Sequence, residues 1–342
     1  MQVMVAMSGG VDSSVAAALM LEAGHDVVGV TMKLWGGPSD KGCCSISDVQ
    51  DARRAADGLG IDHHVFNFGD DFERDVIAPY VAEHAAGRTP NPCIECNRSI
   101  KFARLMERAD ALGFDSVVTG HHVRLVRLSD GTRRLARAVD AAKDQSYVLH
   151  MLTTADLERV EFPIGELTKD QVRARAAELG MRTATKPDSQ DVCFIASTTS
   201  RHEFLADRMD FHSGVVVDMH GDEVGRVPAV ETVTIGQRKG LGLPGGAPPR
   251  YVNDVDVVAQ RVTIGSRRDL LTDGVELDRM VWVGDPVEGR LGAQTSAHGR
   301  VRPARVAGER VEWLGPEPRV APGQTVVLYD GDLVVGGGIA VG

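Results

Sequence analysis

The sequence lacks the features that mark membrane proteins, secreted proteins and general nucleic-acid binders. None of its apolar runs is long enough to span a bilayer, and Met1-Gln2-Val3 has no basic segment of a secretory signal. Five cysteines in 342 residues are too few for a disulfide framework, and the net charge of −10 disfavours general attraction to nucleic acid. We therefore expect a cytoplasmic protein of two or three domains, without membrane contact.

The stretch 3–18 carries the clearest local signal. A short apolar strand leads into Ser8-Gly9-Gly10-Val11-Asp12-Ser13-Ser14 and then into a helix predicted over 15–21. Amides at such a helix start bind anions, and glycines let the backbone approach a phosphate closely. Asp12 would repel a bare phosphate, so its presence predicts a bridging Mg²⁺. The alternative is a serine-capped helix that follows a tight turn and binds no ligand.

Strand and helix patterns alternate through the first half of the chain. Strands are predicted at 26–34, 62–68 and 116–119, helices at 47–59, 71–86, 104–112, 143–152 and 168–179, and a hairpin at 123–139. This alternation predicts an α/β fold with a doubly wound parallel sheet, which binds ligands beyond the carboxyl ends of its strands. After Ser200, short strands and glycine-rich turns favour a small β-barrel.

Three cysteines lie in segments that favour chemistry. Cys93 and Cys96 belong to a stretch, 87–98, that its two prolines make stiff, and we expect a non-helical loop there, just before a helix. The helix start and two nearby cationic side chains favour the thiolate of Cys96, the cations being Arg98 and Lys101. Cys193 follows a polar, proline-bearing loop far along the chain.

These cysteines leave three chemistries open. A cysteine persulfide could donate sulfur through nucleophilic and redox steps. An iron–sulfur cluster could instead be held by Cys93, Cys96 and Cys193. A structural zinc would need a fourth ligand, for which the candidates are His63, His64, His121 and His122. The vicinal pair Cys43 and Cys44 lies in a glycine-flanked loop and is expected to have no chemical role.

Eight motifs follow one another along almost the whole chain. They are SGGVDSS, GVTMKLW, CCS-x-x-D-x-x-DARRAAD, GRTPNPC-x-x-CN-x-x-IKF, GHH, KDQSY, PDSQDVCFI and TIGQRKGLG. In this order they resemble the bacterial tRNA-specific 2-thiouridylase family, within the PP-loop ATP pyrophosphatases. The resemblance is weakest after about residue 265.

The resemblance implies an ATP-dependent sulfurtransferase that replaces O2 of the wobble uridine by sulfur in the tRNAs for Lys, Glu and Gln. It implies adenylation of O2, release of AMP and pyrophosphate, and sulfur transfer from a cysteine persulfide. The implied partners are tRNA and a persulfide-donor protein. The implied domains are a PP-loop (HUP-like) ATP-binding domain over 1–200, a small central domain over 201–265 and a C-terminal β-barrel over 266–342.

Matching positions assign roles by resemblance. Cys96 matches the nucleophile and Cys193 the persulfide carrier, and their disulfide would release the sulfur. The positions that match contacts to ATP and Mg²⁺ are Ser8, Gly9, Gly10, Val11, Asp12, Ser13, Ser14, Met32 and Gly120. The positions that match contacts to the target base and the tRNA are Asn91, Pro92, Cys93, His121, Lys143, Asp144, Gln145, Arg302 and Gln324.

Some questions stay open at this point. Many family members have an aspartate where this chain has Cys93, so the role of that thiol is unassigned. Two basic stretches are candidates for RNA contact or for plain solvated surface: Arg98, Lys101, Arg104 and Arg108, and then Arg300, Arg302 and Arg305. A PP-loop synthetase acting on a small molecule would leave both catalytic cysteines unused. A degenerate, non-catalytic binding protein is disfavoured by the intact SGGVDSS motif.

Overall fold

The computed structural model describes residues 1–34, 45–188, 192–195, 200–243 and 248–341. The described residues divide into two units, one from 1–77, 92–198 and 332–335 and the other from 78–91, 199–331 and 336–342. The predictions for Cys43 and Cys44, and part of the PDSQDVCFI motif, lie outside the described residues. No helix within the described ranges is long and apolar enough to cross a membrane.

The first unit is built on a five-stranded parallel sheet, which confirms the prediction from strand–helix alternation. The strands of this unit are β1 Gln2–Ala6, β2 Asp26–Lys33, β3 His63–Asn67, β4 Ser116–Thr119, β5 Val123–Arg127, β6 Arg133–Arg137 and β7 Val160–Glu161. The sheet has the order β3-β2-β1-β4-β7, while β5 and β6 form the predicted hairpin. Val3 and Val5 of the central strand β1 are fully buried, because helices cover both faces.

Helices connect the strands of the first unit. The helices of the described residues are α1 Val11–Glu22, α2 Ile46–Leu59, α3 Gly69–Phe72, α4 Ala78–Ala85, α5 Pro92–Glu95, α6 Leu105–Leu112, α7 Thr154–Leu157, α8 Lys169–Glu178 and α9 Arg201–Ala206. Of these, α4 and α9 belong to the second unit. A π-helical stretch, Glu73–Ile77, joins α3 to α4, and another, Cys96–Arg104, joins α5 to α6. α1 begins four residues earlier than predicted, so Asp12 lies in its first turn.

The stretch around Cys96 is helical, which corrects the prediction of a loop over 87–98. α5 begins at Pro92, and the helix continues through Cys96 into α6. Proline fits the first position of a helix, because it lacks the N–H that would be unpaired there and its φ is already helical. The prolines therefore mark the start of the helix, and Cys96 lies about one turn into it.

The prediction of a helix over 143–152 is wrong. Only the 3₁₀ turn Ser146–Leu149 is helical in this stretch. The Asp144 carboxylate accepts hydrogen bonds from the backbone N–H groups of Ala138 and Ser146, both at 3.1 Å, and from the Ser146 hydroxyl at 2.9 Å. A short acidic side chain that bonds to nearby backbone competes with helix formation.

The second unit contains two β-structures. Its strands are β8 Gly214–Val217, β9 Glu223–Val227, β10 Tyr251–Asp256, β11 Arg261–Gly265, β12 Leu271–Trp282, β13 Gly289–Gln294, β14 Arg302–Ala307, β15 Arg310–Pro318, β16 Thr325–Asp330 and all but the first three residues of β17 Leu333–Ala340. β8 to β11 form a small sheet whose core includes Val216, Val252 and Ile264. β12-β15-β14-β13-β16-β17 close into an antiparallel barrel through the β12–β17 pairing, as predicted. The domain boundaries near 200 and 265 stay a prediction.

Candidate active site

The loop between β1 and α1 forms the floor of the candidate site. Gly10 caps α1 in an extended conformation, and no side chain of the described residues caps the helix. The hydroxyls of Ser13 and Ser14 donate to the Gly10 carbonyl instead, at 3.3 and 2.9 Å. The alternative of a serine-capped helix is therefore wrong. An N-terminal turn without a side-chain cap presents its amides to an anion.

Gly9 brings this loop against the start of α2. Its φ is +73°, and a β-carbon placed on it would lie 2.2 Å from the carbonyl oxygen of Asp48. Lys186 holds the two segments together: its Nζ donates to the Gly9 carbonyl at 2.9 Å and to the carboxylates of Asp48 and Asp51, both at 2.8 Å. Burial lowers the pKa of Lys186, but these carboxylates outweigh it and raise that pKa overall.

Asp12 is engaged by two basic side chains. Lys169 Nζ donates to both of its carboxylate oxygens, at 2.8 and 2.7 Å, and His122 Nε2 lies 3.2 Å from Oδ1. Burial raises the pKa of Asp12, but the hydrogen bonds from His122 and Lys169 prevail and hold that pKa below its ordinary value. Asp12 is therefore an ionised, paired carboxylate in the first turn of α1, directly after the loop 7–10, and we call this loop together with this turn the phosphate loop.

The predicted Mg²⁺ does not fit Asp12 as the structure arranges it. Both carboxylate oxygens already accept hydrogen bonds from Lys169. The described residues contain no group of three or more His, Cys, Asp or Glu that could hold a metal ion. Proteins usually bind Mg²⁺ through one or two free carboxylates together with substrate phosphates and water. A metal held by Asp12 would have to compete with Lys169 for these oxygens.

The end of β4 packs onto the start of α1. A β-carbon on Gly120 would lie 2.5 Å from the Ser13 nitrogen, so only glycine allows this approach. Two hydrogen bonds with Gln145 hold the backbone of His122. The backbone N–H of His122 donates to Gln145 Oε1 at 2.8 Å, and the backbone N–H of Gln145 donates to the carbonyl of His122 at 2.9 Å. Gln145 therefore orients the imidazole that reaches Asp12.

His121, a predicted tRNA contact, points into the protein. It is 7% exposed, and its Nδ1 lies 2.7 Å from the hydroxyl of Thr119. Its ring lies 6.0 Å from that of Phe102 and 6.3 Å from that of Phe162, centroid to centroid. Burial, and then the charge of Lys101, lower the pKa of His121 far below its ordinary value. The imidazole is therefore neutral at physiological pH.

Lys143 and Asp144, two further predicted tRNA contacts, have partners within the chain. Lys143 Nζ donates to Asp188 at 2.7 Å, and this bond raises the pKa of Lys143. Asp144, besides forming the turn before Ser146, accepts from Arg137 Nη1 at 3.1 Å. Together with Gln145, these residues form a segment beside the phosphate loop that hydrogen bonds within the chain hold in place.

The segments that carry Cys96 and Cys193 are held by one helical stretch. Cys96 is 7% exposed. The helical stretch Cys96–Arg104 contacts α3 through an ion pair between Arg104 Nε and Asp71, at 3.4 Å. Cys193 is half-buried. The Phe194 ring next to it packs edge-to-face on Phe72 of the same helix, with centroids 5.7 Å apart. Both predicted reactive residues thus lie on segments anchored to α3.

The described residues contain no ligand group for an iron–sulfur cluster. Cys93, Cys96 and Cys193 are all described, yet they do not form a metal-holding group. The same finding leaves the zinc alternative without a ligand set among the described residues. Cys93 lies half-buried in α5, one turn before Cys96.

The remaining predicted residues fall into two places. Met32 is buried near the carboxyl end of β2, at the edge where the phosphate loop lies. Arg302 and Gln324 belong to the second unit. Arg302 Nε lies 3.4 Å from Glu317 Oε2, and its guanidinium lies 6.0 Å from the centre of the Trp313 ring. Asn91 lies directly before α5, and Pro92 is the first residue of α5.

Two lysines at this site, Lys169 and Lys186, were not predicted, and neither was Asp188, which pairs with Lys169. Each lysine lies more than 130 residues from the carbonyl and carboxylate oxygens to which it donates, so no local pattern joins them. Lys169 had a signal, however. It is the first residue of the helix after β7, and in a parallel sheet that position lies at the ligand-binding edge.

Comparison with known proteins identifies relatives over nearly the full length. Residues 1–197 match the family described as tRNA methyl transferase HUP domain, 202–266 its PRC-barrel domain, and 273–340 the aminomethyltransferase beta-barrel domain. The tRNA-specific 2-thiouridylase MnmA of Thermobifida fusca is 48% identical over 98% of this chain and 94% of the relative. That of Salinispora tropica is 49% identical over 98% and 97%.

Among solved structures, a 4-thiouridine synthetase in complex with RNA and ATP superposes with a TM-score of 0.39. It is 20% identical and covers 60% of this chain and 49% of the other chain, a likeness too weak to carry a functional conclusion.

Proposed function

The chain belongs to the tRNA-specific 2-thiouridylase MnmA family, and on that premise we propose that it forms 2-thiouridine in tRNA with ATP as co-substrate. It is a tRNA-uridine sulfurtransferase. The observation that carries the proposal is a full-length identity of 48% to a 2-thiouridylase, in a chain whose phosphate loop and cysteines suit sulfur transfer. The words "methyl transferase" in the domain descriptions have less weight than this match. We assign the wobble uridine of the tRNAs for Lys, Glu and Gln as target and the cytoplasm as compartment.

Adenylation makes the uridine O2 a leaving group. The O2 attacks the α-phosphorus of ATP, the bond to the bridging oxygen of pyrophosphate breaks with its electron pair, and the N3 proton passes to water. The amides at the start of α1 and the exposed hydroxyl of Ser8 are the donors we assign to the phosphates. Met32 and Gly120, at the ends of β2 and β4, are assigned to the nucleoside. No step of this reaction requires a metal ion held by Asp12.

Sulfur transfer then uses the two cysteines. A donor protein loads Cys193 with a persulfide, whose terminal sulfur attacks C2 and displaces AMP. The Cys96 thiolate next attacks the sulfur atom of Cys193, so that the C2-bound sulfur leaves as the thione and a Cys96–Cys193 disulfide forms. The two thiols supply the two electrons that reduce the transferred sulfur, and a cellular thiol must reduce the disulfide afterwards. Because Cys96 is buried, its segment has to open for this step.

The proposed tRNA contacts follow from the resemblance to the family. Arg302 and Gln324 of the second unit, and Asn91 and Cys93 near the target base, are half-buried and are proposed as direct contacts, together with the buried Pro92 between the latter two. His121, Lys143, Asp144 and Gln145 are proposed to shape the site, since each has partners within the chain.

Serine variants of the two cysteines test the proposed function. Purified Cys96→Ser and Cys193→Ser would be incubated with ATP, a tRNA transcript and a persulfide donor, and both pyrophosphate and thiolated tRNA would be measured. We expect each variant to release pyrophosphate but to thiolate no tRNA. A transcript with cytidine at the target position is the control. Thiolation by either variant would contradict the persulfide route, and failure of the parent chain to release pyrophosphate would contradict adenylation.

A further inference from the structure

The pairing of Asp12 with Lys169 carries one inference that deepens the proposed function and rests on it. Lys169 is only 8% exposed, although it is the first residue of α8. α8 packs beside α1 through a shared apolar cluster that includes Val15, Ala16, Val172 and Ala176. Two parallel helices that leave one sheet edge thus present Asp12 and Lys169 to each other at the ligand-binding end.

Lys169 is also part of a larger ionic cluster. Its Nζ lies 2.9 Å from Asp188 Oδ1, in addition to its bonds with Asp12. Asp188 is paired twice more, with Lys143 at 2.7 Å and with Arg173 at 2.7 Å. Burial raises the pKa of Asp188, but the hydrogen bonds and charges of Lys143 and Lys169 lower it well below its ordinary value. Three cations therefore share two carboxylates, and Asp188 does not depend on Lys169 for its charge balance.

This charge arrangement suits a phosphate better than a metal. A triphosphate that enters the loop brings negative charge next to Asp12, whose own charge opposes it. A divalent ion could offset this through Asp12 only in competition with Lys169 for the carboxylate oxygens. An ammonium group that is already in place offsets it without rearrangement, and its three N–H donors allow it to keep one carboxylate oxygen while bonding a phosphate.

We propose that Lys169 is the cation that stabilises the departing pyrophosphate, and that Asp12 is a positioning residue that holds it in the phosphate loop. As the bond from the α-phosphorus breaks, negative charge grows on the bridging oxygen, and Lys169 shifts a hydrogen bond from Asp12 to the pyrophosphate. Lys169 keeps all its protons, so no bond to it forms or breaks. Mg²⁺ then arrives with ATP as a counter-ion of the nucleotide, without Asp12 as its ligand.

Variants of the pair separate this proposal from a metal site. For Lys169→Gln we expect a loss of roughly 100-fold in the turnover number of tRNA-dependent pyrophosphate release, with a small change in KM for ATP, because the interaction strengthens in the transition state. We expect Lys169→Gln also to bind inorganic pyrophosphate at least about tenfold more weakly, and Lys169→Arg to recover part of that affinity. Arg175→Gln on the surface of α8 is the matched control and should behave as the parent chain.

A Mg²⁺ titration supplies the second readout. If Asp12 positions Lys169, Asp12→Asn should lower turnover while the Mg²⁺ concentration for half-maximal rate stays that of the parent chain. A rise of about tenfold or more in that concentration for Asp12→Asn, or a Lys169→Gln variant within about threefold of the parent in pyrophosphate affinity, would overturn the proposal.

Two further arms keep the result interpretable. If Lys169→Gln does not fold, the double variant Asp12→Asn/Lys169→Gln retains a hydrogen-bonded pair without buried charge, and the same pyrophosphate thresholds apply to it. If the parent chain releases no pyrophosphate with ATP and tRNA, the proposed function itself fails. If the parent chain is active and Lys169→Gln has the same turnover number and pyrophosphate affinity, only the proposed role of Lys169 is wrong.

Discussion

Alanine at Gly9 tests how closely the phosphate loop must approach α2. Two costs arise in Gly9→Ala. The first is the left-handed backbone at φ +73°, which opposes a β-carbon by about 1–2 kcal/mol. The second is contact: the new carbon would lie 2.2 Å from the Asp48 carbonyl oxygen, a backbone atom that cannot rotate away. The loop must then shift by about 1 Å, which resembles core overpacking and costs a further 1–3 kcal/mol, roughly.

Gly24 offers a matched control for the first cost alone. Its φ is +80°, and no atom lies within 4 Å of the position that a β-carbon would take. Gly24→Ala should therefore lower the free energy of unfolding by about 1–2 kcal/mol and leave adenylation unchanged. Gly9→Ala should lower it by about 2–5 kcal/mol and reduce the adenylation rate by about 100-fold, because a shifted loop misplaces the phosphates.

Urea unfolding and pyrophosphate release, measured on the same preparations, separate these outcomes. The reasoning is refuted if the two alanine variants lose equal stability and both keep full adenylation. A Gly9→Ala protein that is destabilised as expected but adenylates normally would show instead that this loop is not the nucleotide site.

Three further predictions concern other parts of the chain. Burial lowers the pKa of His150 from 6.5 to about 4, so the unfolded chain takes up a proton that the folded chain does not as pH falls through this window. This group should therefore lower the free energy of unfolding by up to about 3 kcal/mol as the pH falls from 6.5 to 4. In His150→Gln the urea midpoint of unfolding should depend less on pH across that range. Arg302→Ala should weaken tRNA binding and reduce the slope of log affinity against log salt by roughly one, and an unchanged slope would remove Arg302 from the interface. Cys93→Asp, which installs the residue that the resemblance implies for many family members, should keep most thiolation. Cys93→Ala, purified anaerobically, should have the same iron and sulfide content and the same thiolation activity as the parent chain. Loss of both iron and activity in this variant would contradict the persulfide route.

Much of the fold was predictable because its signals are local. The apolar run before Ser8 indicates a buried strand, and the two glycines after it indicate a turn before the next apolar run, which is a helix. Cys96 shows the limit of such reasoning. Two prolines suggest a loop from composition, yet Pro92 suits the first turn of a helix equally well, and only the packing of that helix on α3 decides between them.

The ionic partners of the phosphate loop were not predictable from local sequence. Lys169 reaches Asp12 across 157 positions, and Lys186 reaches Gly9 across 177. A lysine at a helix start is ordinary in sequence, and only the order of strands in the sheet shows which helix starts lie beside the loop. The prediction of Mg²⁺ on Asp12 followed from the carboxylate alone, without the buried ammonium that the topology brings to it.

One chain of hydrogen bonds joins the phosphate loop to the helix that carries Cys96, the proposed nucleophile. Asn97 Nδ2, next to Cys96, donates to the Val148 carbonyl at 3.2 Å, and the Val148 N–H donates to the Gln145 carbonyl at 3.2 Å. Gln145 in turn fixes His122, whose Nε2 lies 3.2 Å from Asp12. An adenylated base exposed to water can be hydrolysed, so sulfur delivery has to follow adenylation at once. A continuous bonded path between the two reactive elements therefore suits a reaction in two steps, because loosening of Gln145 would disturb both.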